Sequence, residues 1–298
     1  MEKDSVLSEL IPSTIVECAL KKGNNGTCVT NKEVLFKLKD MLSITDENVM
    51  EAAKDKLNCH NERCVIEKTK EVLGNLYLDT IRSFKIKGPL DNALLSNINI
   101  DSVLDQWTKL FPDFFAYNFN MKDYRKHSIV NGEVVNQPDT LETISYEDIY
   151  KLGKKRCACV INSDVYQGNG KHWMALYAEP GSVEFFNSSG RGPEVEWIVW
   201  MERTKISMEA ITKKPVKLVG GTGLKIQESK SECGLYSLFY IWARLNGIPY
   251  TYFQENIIPD KFMFEFRQHL FIDKNFVKPT EFDWDSYKAR VSITWEKD

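Results

Sequence analysis

Apolar positions along the first 80 residues recur at the three- and four-residue spacing of short amphipathic helices. Residues 31–42 place Val34, Leu35, Leu38 and Leu42 on one helical face, and 45–57 repeat the pattern. Lys and Glu fill most remaining positions, so this part reads as a helical module. Residues 85–92, with Gly88-Pro89, carry the chemistry of a linker and set a boundary after residue 88. Beyond it Asp101 is the expected N-cap of a helix with Val103, Leu104, Trp107 and Leu110 on one side. Aromatics at Phe111, Phe114, Phe115, Tyr117 and Phe119 then suit a core.

From residue 156 the period changes. Runs at 157–162, 172–177, 183–186 and 216–219 are compact and apolar, the length of buried strands, with glycine-rich turns between the first three. Residues 194–211 return to helical spacing through Trp197, Ile198, Trp200 and Met201. Residues 233–245 are apolar on nearly all sides and stop at Asn246-Gly247, as a buried helix with a glycine end signal does. Strands flanked by helices without strict alternation predict an α+β fold, with domains at 1–88 and 89–298.

Composition narrows the class. A chain of 298 residues, 43% hydrophobic and 27% charged, can bury a full-sized core. Its formal net charge of -3 supplies no basic field, so no nucleic-acid partner is expected. The charged start, Met1-Glu2-Lys3-Asp4, leads into no long apolar run, and no stretch reaches the ~18 apolar residues of a membrane span. Neither a signal peptide nor a membrane partner is expected. Seven cysteines, an odd number in a chain too large to need a disulfide scaffold, suggest free thiols in a reducing compartment. The sequons at Asn25 and Asn187 would then go unused. Cys59, His60 and Cys64 lack a nearby fourth zinc ligand, so helix-end packing is expected there rather than a metal site. Cys157 and Cys159, two apart on a strand, should share a face in the core.

An unpaired cysteine with histidine and asparagine elsewhere raises the question of a thiolate nucleophile. Cys233 stands at the first turn of the buried helix, where unpaired N–H groups and the helix dipole favour thiolate over thiol. Taken alone, it is as readily a small core residue. His172 opens a strand behind a glycine turn, where an imidazole can reach a cleft and act as base. His60, His127 and His269 are read as surface histidines. Asn187 ends the next strand, 15 residues on, and lies beside the imidazole if the two strands form a hairpin. Gln227, six residues before Cys233, can donate its amide to an oxyanion. Each is weak singly; their order and context together are strong.

Gly-Lys-His-Trp at 170–173, Phe-Phe-Asn-Ser at 185–188, and Gln227 followed by Cys233-Gly234 resemble the adenain and SUMO-specific protease class of cysteine peptidases. Within it, the African swine fever virus type of polyprotein-processing protease is similar outside these motifs too, at 59–66, 94–107, 200–203 and 239–245. The likeness covers most of residues 55–271, leaving 272–298 as a C-terminal extension. It implies a core with a central mixed sheet flanked by helices and a helical N-terminal arm. It also implies a His172, Asn187 and Cys233 triad, Gln227 in the oxyanion hole, and Trp173 lining the substrate channel. No metal or organic cofactor is implied.

The implied activity is endopeptidase cleavage after Gly-Gly in viral structural polyproteins during virion maturation, in the virion and host cytoplasm. The alternative is a deubiquitinase or SUMO-type isopeptidase acting on host conjugates with the same catalytic groups. A catalytically silent binding protein on a protease fold is a third possibility, against which the intact quartet of site residues argues.

Overall fold

The computed structural model describes residues 5–12, 16–21, 26–125, 128–130, 133–135 and 140–272. His127, Asn25 and the extension beyond residue 272 lie outside them. The described residues form two compact units, one within 1–92 and 265–272 and the other within 93–264. The sequence pattern ran the second domain from residue 89 to the end. The pairing of a short strand β1 (Ile86–Lys87) with β10 (Phe271–Ile272) joins the tail of the described chain to the first unit instead.

Among its described residues, positions 1–92 of the first unit form the short helices α1 (Ser5–Leu10), α2 (Lys32–Met41), α3 (Val49–Leu57), α4 (Glu62–Lys68), α5 (Lys70–Leu73) and α6 (Asn75–Ile81). Asn31, Asn48 and Asn61 cap α2, α3 and α4 through their side chains. Val34, Leu38, Met50 and Ala53, from the runs that the periodicity marked, form a core with Val65, Ile66 and Leu73, while Leu35 and Leu42 pack partly buried against it. Four cysteines expected as free thiols are instead cross-linked, Cys18 to Cys28 and Cys59 to Cys64, with Cα atoms 4.9 and 5.6 Å apart. The left-handed turn at Asn58 after α3 brings Cys59 back onto the first turn of α4. Spacing along a chain does not disclose such pairing. His269 is a second correction: it lies buried in α13 (Asp260–Leu270), not at the surface.

The second unit is built on a six-stranded mixed sheet. Its elements are α7 (Asn97–Leu110), β2 (Phe114–Ala116), β3 (Asn120–Met121), β4 (Ser128–Val130), β5 (Glu133–Val135), α8 (Thr140–Thr143), α9 (Tyr146–Lys151), β6 (Arg156–Asn162), β7 (Trp173–Glu179), β8 (Ser182–Phe186), α10 (Val195–Thr212), β9 (Lys217–Gly220), α11 (Cys233–Leu245) and α12 (Tyr252–Glu255). The strand order is β2-β6-β7-β8-β9, with β3 also on β6; β6, β7 and β8 are antiparallel, and the outer pairings are parallel. β4 and β5 form a separate hairpin. Asp101 does not cap α7. Ser96 does, in a reciprocal capping box with Asn99, because a hydroxyl five residues earlier reaches the free N–H groups first.

Residues 157, 159, 176, 178, 183 and 185 face α10, where Trp197, Trp200, Met201 and Met208 cover them. Cys157 and Cys159 are in that core, as their spacing indicated. On the other face α11 packs along β7 and β6. Phe186 stacks on Tyr240 there, with ring centroids 4.4 Å apart. The carboxylate of Glu184 is fully buried beneath it and accepts from Tyr240 Oη (2.6 Å), Ser182 Oγ (2.6 Å), and Arg244 Nε and Nη2 (both 2.8 Å).

Two outcomes are expected. Arg244→Leu leaves Glu184 buried without its cation and should cost about 3–5 kcal/mol, read as a shift in the denaturant midpoint. Burial, and then the charge of Lys85, push His269 down to about 3 from its ordinary 6.5. Between those values the unfolded chain binds the extra proton, so stability falls as pH drops from 6.5 toward 3. His269→Gln should flatten that fall in thermal melts taken across the window.

Candidate active site

The β7–β8 hairpin is closed at one end by Pro180-Gly181, and its other end presents two polar side chains. His172 immediately precedes β7 and Asn187 immediately follows β8, and the pairing of Ala175 with Phe186 makes both leave the ladder at the same end. His172 Nε2 lies 2.8 Å from Asn187 Oδ1. That oxygen also accepts from Ser189 N (2.9 Å) and Ser189 Oγ (2.8 Å). A carboxamide oxygen can only accept, so Nε2 carries the hydrogen and Nδ1 keeps the lone pair that can take a proton.

The loop leading into His172 is laced internally. Buried Asn162 accepts from the backbone N–H groups of Asp164 (2.9 Å) and Lys171 (3.0 Å) through Oδ1. Asp164 accepts from Gly170 N at 3.2 Å and pairs with Lys171 Nζ at 3.1 Å. Gly170 has a φ of +84°, which glycine adopts without strain.

Cys233 is the first residue of α11 and is buried. Burial pushes its thiol above the ordinary value of 9.0, and the charge of Glu232 pushes the same way. Backbone N–H groups of Trp173, Gly234 and Cys233 itself act on the sulfur in the opposite sense and do not overcome the dehydration. The N–H groups of Gly234 and Cys233 at the helix terminus do favour thiolate, as expected, but burial outweighs them and leaves the thiol raised. The Trp173 N–H places the residue next to His172 at the sulfur.

Trp173 donates its indole N–H to Leu95 O (3.1 Å), and Phe119 meets the ring edge-on at 6.1 Å. Phe119 N in turn donates to Asp101 Oδ1 at 2.8 Å. Desolvation raises the Asp101 carboxyl to about 6. A Cβ at Gly234 would lie 3.3 Å from both Leu95 and Trp173, so these two side chains close tightly over the start of α11.

Gln227 is buried between two partners. Ser188 Oγ donates to its Oε1 at 2.6 Å, and its Nε2 donates to Ser229 O at 2.7 Å. All five residues singled out in the sequence thus fall in one unit, on the hairpin end, the turn of α11 and the loop before it. The sequence pattern missed Asn162, Asp164 and Ser188. Asn-Ser-Asp at 162–164 is turn chemistry that could have been found; a serine after the asparagine carries no such signal.

No family model matches the chain. A protein described as a SUMO-1 cysteine protease of African swine fever virus (isolate Pig/Kenya/KEN-50/1950) is 35% identical over 281 residues, 88% of this chain and 97% of that protein. The chain belongs to this cysteine protease family. The counterpart in the Badajoz 1971 strain, a cysteine protease, is equally 35% identical over the same shares. The crystal structure of the African swine fever virus protease superposes with a TM-score of 0.64 at 31% identity, covering 89% of this chain and 98% of that one. The fold of this viral protease is therefore that of its relatives, a helical N-terminal region and a mixed sheet flanked by helices, and its activity is that of a thiol protease acting on protein substrates.

Because burial pushes the Cys233 thiol up, it needs a base to ionise at neutral pH. Alkylation by iodoacetamide in His172→Ala should therefore lose any neutral-pH plateau and climb only in alkaline solution. A plateau kept in that variant would show that the imidazole is not needed.

Proposed function

We propose that the protein is an endopeptidase that cleaves after Gly-Gly in viral structural polyproteins, during virion maturation in the virion and host cytoplasm. His172 takes the thiol proton of Cys233 through Nδ1, while Asn187 holds the ring in the tautomer that leaves this nitrogen free. The sulfur attacks the carbonyl carbon of the second glycine. Gln227 and the N–H groups around the sulfur receive the oxyanion. The imidazolium then protonates the leaving amine, and water, deprotonated by His172, releases the acyl-enzyme.

The observation that carries this proposal is the hydrogen bond of His172 to Asn187 at the hairpin end whose next backbone N–H meets the Cys233 sulfur. The Gly-Gly preference is supported by the close approach of Leu95 and Trp173 to Gly234, where a Cβ would lie 3.3 Å from both, so the start of α11 beside the nucleophile is tightly walled. The polyprotein substrate is supported by similarity over 88% of the chain to a viral protease, which extends well beyond the catalytic motifs. Trp173 then lines the substrate channel, and neither a metal nor an organic cofactor enters any step.

The experiment is side-by-side incubation with Gly-Gly-X peptides and with ubiquitin-like conjugates. Peptides bearing Gly-Gly should be cut after the second glycine, and Gly→Ala at either position should abolish cutting. Efficient cleavage of the conjugates alone would replace this proposal with the isopeptidase alternative. Cys233→Ser should fold normally and lose several orders of magnitude in turnover, on the scale of about 10⁶ seen for triad deletions.

A further inference from the structure

The carboxamide of Gln227 is held at both ends. Its Oε1 accepts from Ser188 Oγ at 2.6 Å, and its Nε2 donates to Ser229 O at 2.7 Å. A backbone carbonyl can only accept, so the atom facing Ser229 is the nitrogen and the orientation of the amide is determined. An NH2 group has two hydrogens; Ser229 takes one, and one remains to donate elsewhere.

Ser188 contributes more than its hydroxyl. It is almost wholly buried, with 1% of its surface exposed, and its carbonyl accepts from both Ile226 N (3.0 Å) and Gln227 N (3.1 Å). The backbone and the side-chain tip of Gln227 are therefore gripped by one residue, which directly follows Asn187. The far side of the loop is tied separately. Ser229 N donates to Asp260 Oδ2 at 2.7 Å, and Asp260 Oδ1 accepts from Tyr236 Oη, on α11, at 2.8 Å.

We infer that Ser188 is a positioning residue for the oxyanion donor, locking the Gln227 carboxamide so that one N–H stays aimed at the developing charge. The same short segment, Asn187-Ser188, thereby sets both the imidazole and the oxyanion hole. The inference rests on Gln227 being the oxyanion donor. Without the Ser188 hydroxyl the Oε1 is buried and unsatisfied, and the amide is free to rotate and expose its oxygen where an N–H is required. An oxygen at that point would repel the oxyanion.

The test compares Ser188→Ala, Gln227→Ala and the double variant on a Gly-Gly-X peptide. Misplacing a donor should cost less than removing one, which costs about 10²–10³. Ser188→Ala should therefore lower kcat by about ten- to a hundredfold with KM little changed. The double variant should be no slower than Gln227→Ala alone. Alkylation of Cys233 by iodoacetamide, and its pH profile, should match wild type, because the imidazole and Asn187 are untouched. Should Ser188→Ala fail to fold, Ser188→Cys, with a weak donor of similar size, carries the test by the same criteria. Activity of the Ser188 variant within twofold of wild type, losses that multiply in the double variant, or an altered alkylation profile would overturn the inference. A fully active Gln227→Ala would instead remove the oxyanion reading beneath it.

Discussion

Glu184 carries a negative charge in the interior of the second unit, and the placement of everything around the site depends on how that charge is satisfied. Arg244 approaches it with a two-pronged guanidinium while Tyr240 and Ser182 complete its hydrogen bonds. Glu184 is on β8, and Tyr240 and Arg244 are on α11, so the contact joins the hairpin to the helix whose first residue is Cys233. A second carboxylate, Glu179 on β7, also pairs with Arg244. A buried ion pair contributes little net stability over apolar packing, but its hydrogen bonds are directional. Glu184, Tyr240 and Arg244 thereby tie α11 to β8 at defined atoms.

Once the helix is set, the site is a problem in hydrogen-bond polarity. Asn187 can present only an acceptor to His172 because its oxygen is also bound by Ser189. Gln227 can present only a donor because Ser188 and Ser229 take its other groups. Cys233 enters this frame dehydrated, with burial pushing its thiol up. Burial opposes charge on the sulfur until a proton acceptor is at hand, so reactivity is tied to the base and not to the helix terminus alone.

Much of this was legible in the chain. The four strand runs, the long helix at 195–212 and the buried helix Cys233–Leu245 follow from run length, spacing and turn signals, because these report local geometry without regard to partners. The α+β class was accessible for the same reason, and a hairpin of these strand lengths already brings positions 172 and 187 to one end, whereas Trp173 was implied only by the resemblance to the protease class. Asp101 was misjudged because a cap is decided by which oxygen is nearest the free N–H groups, and Ser96 is nearer. His269 was misjudged because burial depends on what folds over a helix, not on the helix's own pattern.

The amino-acid sequence by itself determined where the chain turns, which faces are apolar and which residue types are available for chemistry. Only the tertiary structure decided that Cys18 meets Cys28 and Cys59 meets Cys64, that Ser188 grips Gln227, and that the Cys233 thiol is raised rather than lowered. The division is physical. Periodicity and turn chemistry act within a few residues, whereas cross-links, solvation and the aim of a carboxamide are fixed by atoms that come from distant parts of the chain and meet only after folding.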